Sequence, residues 1–265
     1  DGDGKDEIVY RGRCDASAPC WRVHSELTDQ TTAGENWGDG ARFSVHTGKP
    51  TIGDWDGDGL EDLAYQGMCG SGDDSHDCWR VHRSTGSAFE EPVDWGVTPQ
   101  GIVAAAPVDL SGDGRADLLY QSACDQSVCW FGQMSSGSAF SAPIDLGPVT
   151  PAERNQVLPF DFDGNGTIDL VSWSADDESS GIEIRYGSAD RLGPSVNLAR
   201  LETPIHDLHL ERPGGAGPVL ASIRVGCDSE DPCMEYLFGS SGRELTDAED
   251  FRRIAHGRLG LPAIS

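Results

Sequence analysis

The feature that most constrains this chain is an acidic motif that returns about every fifty residues. Residues 54–62 read D-W-D-G-D-G-L-E-D, residues 109–117 read D-L-S-G-D-G-R-A-D, and residues 161–169 read D-F-D-G-N-G-T-I-D. Their starts lie 55 and 52 residues apart. The chain opens on D-G-D-G-K-D-E, the same motif without its first two positions. A period of this length marks one supersecondary unit copied along the chain, and each copy must bury its apolar faces against its neighbours.

The flanks repeat as well. Each motif runs into a short apolar stretch, at 8–10, 63–65, 118–120 and 170–173. A loop bounded by two cysteines follows in the first three units, and Trp21, Trp79 and Trp130 each stand directly after the second cysteine. Ser/Gly turns come next, at 84–89 and 135–140, and a last β-rich stretch closes the unit at 92–95 and 143–146. These signals predict four short strands per unit. Strand alternation puts Trp79 and Val81 on one face and Arg80 and His82 on the other. His24 recurs at the position of His82, which suggests a structural role on a strand face. A fifth unit is degenerate: 220–225 reads as its second strand, but the loop near 211–219 lacks the Asp ladder, so no metal is expected there. Residues 247–256 suggest a short helical turn. The expected fold is all-β, a single β-propeller domain or segment of four-stranded blades. Five repeats are visible, at about 1–53, 54–108, 109–160, 161–210 and 211–265. The chain is cut at nearly the same phase at both ends, so the natural N-terminus is expected upstream.

The motif spacing carries its own chemistry. Alternate side chains of a tight loop turn inward together, and the intervening glycines permit the backbone angles this needs. Calcium takes six to eight hard oxygen ligands, which carboxylates and a backbone carbonyl supply. The expected ligands are Asp54, Asp56, Asp58 and Asp62 with the Leu60 carbonyl; Asp109, Ser111, Asp113 and Asp117 with the Arg115 carbonyl; and Asp161, Asp163, Asn165 and Asp169 with the Thr167 carbonyl. The truncated first loop retains Asp1, Asp3 and Glu7 with the Lys5 carbonyl, giving about four Ca²⁺ sites, the first incomplete. An EF-hand starts the same way but needs a bidentate Glu at position twelve; that position here holds Tyr65, Tyr120 or Ser172. Magnesium fits less well, because it keeps several waters in rigid octahedral geometry. Four loops in register argue against acidic turns that bind nothing.

The eight cysteines fall into close pairs, Cys14 with Cys20, Cys69 with Cys78, Cys124 with Cys129, and Cys227 with Cys233. Zinc is the competing reading, but no pair has C-x₂-C spacing and no His stands beside them. Local disulfides follow, and with them an oxidising compartment, so the protein is expected to be secreted or at a cell surface. The net charge of −26 argues against nucleic acid as a partner. No apolar run is long enough to span a bilayer. Among the seven His no nucleophile–base constellation is visible, and no G-x-S-x-G or H-E-x-x-H motif occurs, so an enzyme is not expected. His206 and His209 near the degenerate loop are at most a weak transition-metal pair. Trp37, Trp55, Trp95 and Trp173 either pack between blades or, on a rim, stack on sugar rings; core packing is the favoured reading.

These loops, with the F/W-G-x-x-x-G-x-F-like turn that is clearest at 131–140, resemble the FG-GAP and VCBS repeats of integrin-α-like β-propellers. The resemblance implies blades about a central axis, with calcium in the loop between the first and second strands. It also implies extracellular adhesion, lectin-like recognition or scaffolding. The family usually has seven or more blades against the five visible here, and paired cysteines within the repeat are not a general feature of it. The expected function is a secreted, calcium-stabilised binding or assembly module whose partner is an extracellular protein or glycan. The alternatives are a carbohydrate-binding lectin and a structural shell domain of a larger bacterial toxin or surface particle, as part of a larger chain or complex. In a four-stranded meander the Cys-bounded loops lie at the opposite end from the calcium loops. The recognition surface is expected at that end, in loops 15–19, 70–77, 125–128, 176–181 and 228–232.

Overall fold

The structure is a computed structural model that describes residues 7–14, 19–24, 34–40, 50–71, 74–99, 101–102, 105–125, 127–150, 153, 156–173, 180–188, 191–201, 205–212, 220–225, 234–240, 245–247 and 254–255. The described residues are all-β, and the chain divides into two compact units, Asp1–Pro148 and Val149–Ser265. No helix among them is long and apolar enough to cross a membrane.

The first unit holds three antiparallel meanders. The first contains β1 (Ile8–Arg13), β2 (Pro19–His24) and β3 (Glu35–Asp39); the second runs β4 (Thr51–Gly53), β5 (Asp62–Cys69), β6 (His76–His82) and β7 (Val93–Val97). The third runs β8 (Ala105–Val108), β9 (Asp117–Cys124), β10 (Ser127–Gln133) and β11 (Ile144–Pro148). Each of the three described acidic loops joins the first strand of a sheet to its second, so these sheets begin one strand before the motif. The apolar stretches at 63–65, 118–120 and 170–173 become second strands covered on both faces: Leu63, Ala64 and Tyr65 are fully buried, as are Leu118, Tyr120 and Val171.

The second unit contains β12 (Val157–Phe160), β13 (Asp169–Trp173), β14 (Ser180–Arg185) and β17 (Val196–Leu201) as one four-stranded sheet. The short hairpin β15 (Gly187–Ser188) and β16 (Arg191–Leu192) lies between β14 and β17 in sequence. A five-stranded sheet follows, of β18 (Ile205–Glu211), β19 (Leu220–Val225), β20 (Met234–Ser240), β21 (Leu245–Asp247) and β22 (Ile254–Ala255). The expected second strand of the fifth unit is β19. Of the segment read as a helical turn, the described residues Asp247, Ile254 and Ala255 are in strands, and the rest lie outside the described residues.

Aromatic layers join successive sheets. Trp21, Trp37, Leu63, Tyr65 and Phe89 form one buried cluster, and Trp55, Trp79, Trp95, Leu118, Tyr120 and Phe140 form the next. Phe140 is the wedge of the second: its ring lies edge-on to Trp55 at 5.4 Å and to Trp95 at 5.2 Å, and its amide donates to the Trp95 carbonyl at 2.7 Å. Phe89 repeats this one blade earlier, with its amide on the Trp37 carbonyl at 2.6 Å. In the second unit Phe162, Val171, Ile182, Ile184, Ile205, Leu208 and Leu210 form the core.

The alternation read from Trp79-Arg80-Val81-His82 is overridden by packing, since all four residues are buried. Arg80 donates to the Pro92 carbonyl at 2.6 Å. Nε2 of His82 accepts the indole N–H of Trp21 at 3.2 Å, which leaves the proton on Nδ1 to donate to the Glu90 carbonyl at 2.7 Å. In the next blade Trp79 makes the same bond to Oε1 of Gln133 at 2.9 Å. The first and second blades thus each hand an indole N–H to an acceptor on the blade that follows.

His82 makes the first of these junctions acid-sensitive. Burial holds its imidazole below the ordinary value of 6.5, with Arg80 lowering it further and the Glu90 carbonyl, Glu91 and Asp39 opposing. A depressed folded value means that its contribution is complete above about pH 6.5 and is lost as the pH falls, because the unfolded chain takes up the proton first. We predict that the melting temperature of wild type falls between about pH 7.5 and pH 5 by more than that of His82→Gln, which installs the acceptor used one blade later. Equal slopes in the two proteins would refute the prediction.

The last strands of the three sheets in the first unit, β3, β7 and β11, share a kink. Oδ1 of Asp94 accepts the Gly96 amide at 2.9 Å, and Gly96 adopts φ 128°, a conformation that side chains other than glycine rarely enter. Asn36 with Gly38 and Asp145 with Gly147 repeat this turn. Opposite it the neighbouring strand slips register, between Trp21 and Arg22, Trp79 and Arg80, or Trp130 and Phe131.

Candidate metal centre

The three described acidic loops share one wiring. The first Asp folds each loop around its own carboxylate: Asp54 accepts the amides of Gly57, Asp58 and Gly59 at 2.7, 3.1 and 3.0 Å. Asp109 takes those of Gly112, Asp113 and Gly114 at 2.7, 3.1 and 2.9 Å. Asp161 takes those of Gly164, Asn165 and Gly166 at 2.8, 3.1 and 3.1 Å. The wrap depends on left-handed glycines, as at Gly57 and Gly59 with φ 81° and 86°.

The ninth residue does something its spacing did not reveal. Asp62, Asp117 and Asp169 are wholly buried. One oxygen of each accepts an amide inside its loop, Trp55 at 3.2 Å, Leu110 at 3.0 Å or Phe162 at 2.8 Å. The other reaches the turn after the third strand, taking the amide of Ser84 at 2.7 Å, Ser135 at 2.7 Å or Gly187 at 2.8 Å. This residue is therefore a clamp between the acidic loop and that turn, as well as a candidate ligand. Its charge is held at a cost. Burial pushes Asp62 up to about 7, with Asp56 and Asp58 adding to the shift against the two amide bonds. Burial also raises Asp117 and Asp169.

Such a site suits a hard cation. In the loop at 54–62 carboxylate oxygens of Asp54, Asp56 and Asp58 converge within 4.8 Å, and in the loop at 161–169 those of Asp161, Asp163 and Asp169 do the same. All the side-chain donors are oxygens, the set calcium prefers. A divalent ion would offset the mutual repulsion and the buried charge together. Among the described residues the loop at 109–117 forms no such trio. Its third position is Ser111, and Nη2 of Arg115 donates to Oδ2 of Asp113, so a guanidinium supplies part of the compensating charge. Of the first loop only Glu7 is described, half-buried; Asp1, Asp3 and Lys5 lie outside the described residues.

Disulfides tie the opposite ends of the blades. Cys14–Cys20, Cys69–Cys78 and Cys124–Cys129 are bonded, with Cα atoms 5.8, 5.8 and 5.7 Å apart. Cys227 and Cys233 lie outside the described residues. Trp37, Trp55 and Trp95 are buried between blades, while Trp173 is half-buried on β13. His209 is exposed on β18, and the side chain of His206 lies outside the description.

Residues 54–120 match the model of the family described as FG-GAP-like repeat. The match begins at the first residue of one acidic loop, takes in the Cys69–Cys78 disulfide and the next acidic loop, and ends at Tyr120. No curated protein matches the chain.

Proposed function

We propose that this chain, which carries an FG-GAP-like repeat, is a calcium-stabilised run of β-propeller blades that serves as an extracellular binding or assembly module. The observation that carries the metal reading is the thrice-repeated loop in which the first Asp is wrapped by the loop's own amides and the ninth Asp is buried against that loop. Calcium would be held by the side chains of Asp54, Asp56, Asp58 and Asp62, of Asp109, Ser111, Asp113 and Asp117, and of Asp161, Asp163, Asn165 and Asp169. The carbonyls of Leu60, Arg115 and Thr167 complete the sets, and the truncated first loop offers Asp1, Asp3, Glu7 and the Lys5 carbonyl. The ion's part is to neutralise and brace; no reaction is assigned to it, and the module is read as non-catalytic.

The disulfides and the repeat family support a secreted or surface location. Recognition is assigned to the disulfide end of the blades. Two of the exposed large apolar side chains, Met68 beside Cys69 and Val97 paired with Cys78, lie at that end of the second blade. The lectin alternative loses support because Trp37, Trp55 and Trp95 are too deeply buried to stack on a sugar.

Calcium titration by calorimetry tests the metal reading. Wild type should take up calcium at several sites, and the double variant Asp56→Asn/Asp58→Asn should lose one of them. A titration without heat or stoichiometry would overturn it. A glycan array should show no binding; a specific sugar hit would restore the lectin reading.

A further inference from the structure

The degenerate fifth loop has not simply decayed. Strand pairing sets its register: Gly53 pairs with Asp62, Val108 with Asp117, Phe160 with Asp169, and Glu211 with Leu220. The ninth position of the fifth loop is therefore Leu220, and its first is Arg212 rather than Glu211. An arginine stands where the three described metal loops have Asp54, Asp109 and Asp161. It cannot ligate a cation, yet its guanidinium is used: Nη2 donates to the carbonyl of Asp161 at 2.6 Å and to that of Phe162 at 3.2 Å. It lies close against Gly164, where an added Cβ would come within 3.1 Å of Nη1.

Those two carbonyls belong to the first and second positions of the loop at 161–169. The same two positions of the loop at 54–62 are also capped by the following blade, but by different groups. The Asp54 carbonyl accepts the Ala116 amide at 2.8 Å, and the Trp55 carbonyl accepts Oγ–H of Ser135 at 2.5 Å. Two donors on separate elements in one place are matched by one guanidinium nitrogen, Nη2 of Arg212, in the other. The two N–H bonds of that nitrogen lie in the guanidinium plane in fixed directions, so one side chain can hold adjacent carbonyls at a set angle.

We infer that Arg212 is a positioning residue for the loop at 161–169. The fifth blade has given up its own cation site and supplies instead the guanidinium that holds its neighbour's ligand loop in shape. The role in calcium binding rests on the metal reading above; the role in ordering the loop does not.

Amide exchange measured by NMR on metal-free protein separates the two. Arg212→Ala should speed exchange of the Gly164 and Gly166 amides, which bond to Asp161, by roughly tenfold, the size expected for losing charge-assisted hydrogen bonds. The corresponding amides of Gly57, Gly59, Gly112 and Gly114 should not change. Arg212→Lys should recover part of the protection, since an ammonium donates to the carbonyls without the fixed directions of a planar guanidinium. Unchanged exchange in Arg212→Ala would overturn the inference, and so would equal acceleration in all three loops, which signals general unfolding. With calcium present, Arg212→Ala should weaken uptake at this one loop by roughly tenfold. If wild type takes up no calcium, the metal reading fails while the exchange result still decides the role of Arg212.

Discussion

Chelating divalent cations should lower the melting temperature of this chain by about 10 °C, and added calcium should restore it where equal magnesium does not. A site held at about a hundred times its dissociation constant contributes about 2.7 kcal/mol of linkage stability, and in a chain of this size one kcal/mol moves the transition by about 2–4 °C. Two trios of converging carboxylates are enough to reach the stated shift. The two ends of the motif should respond differently. Asp56→Asn should remove the contribution of calcium at this one loop and cost the chelated protein less than Asp62→Asn, because its side-chain oxygen can still accept the Asp58 amide. Asp62→Asn should destabilise the chelated protein too, because an amide nitrogen would face either the Trp55 or the Ser84 amide, donor against donor. Thermal melts with and without chelator read both effects, and no shift on chelation in wild type would end the structural-calcium reading.

Trp79→Ala should cost about 3–5 kcal/mol, the range for emptying a well-packed aromatic site. Trp79 is 1% exposed, with Tyr120 and Phe140 both at 6.3 Å between ring centres, in the cluster that joins the second and third sheets. Trp79→Phe should cost far less, because it keeps much of the packing and loses chiefly the indole bond. Gln133 would remain satisfied, since its Oε1 also accepts the Tyr120 hydroxyl at 3.0 Å and its Nε2 donates to the Ser141 carbonyl at 2.8 Å. A bond lost without stranding its partner is worth about 1 kcal/mol. Denaturant midpoints distinguish the two variants. A loss in Trp79→Phe as large as in Trp79→Ala would show that the junction depends on the indole N–H rather than on the ring.

Much of this was legible in the sequence because it is local. The acidic loops, the apolar stretches that become β5, β9 and β13, and the three described disulfides each involve residues close in the chain. Side-chain alternation failed at Arg80 and His82 because strands inside a stack of sheets are covered on both faces, so period two no longer reports exposure. The indole relay was hidden for another reason. Trp21 and Trp79 find their acceptors 61 and 54 residues on, and the acceptor is His in one blade and Gln in the next. Function repeats there while the letter does not. The ninth Asp was visible as a ligand by spacing, but its grip on the Ser84, Ser135 or Gly187 turn needs the hairpin in place. Arg212 was passed over because it breaks the pattern; a charge reversal at a repeat position is the signal that marks it.

The kinked outer strands bear on how such chains behave in a crowd. A repeat protein displays the same sheet edge several times over, and a straight, open edge is a template for strands of other molecules. Here Asp94 and Gly96, with their counterparts Asn36 and Gly38 and Asp145 and Gly147, turn an amide back onto a side chain in β7, β3 and β11, the last strands of the first unit's three sheets. That amide is no longer offered, and the local twist spoils the flat register that fibril growth requires. The device takes one glycine per strand and is copied through the three blades of the first unit, whereas β17 slips register in the same way with Ala199 in the glycine's place, so the protection belongs to those three edges.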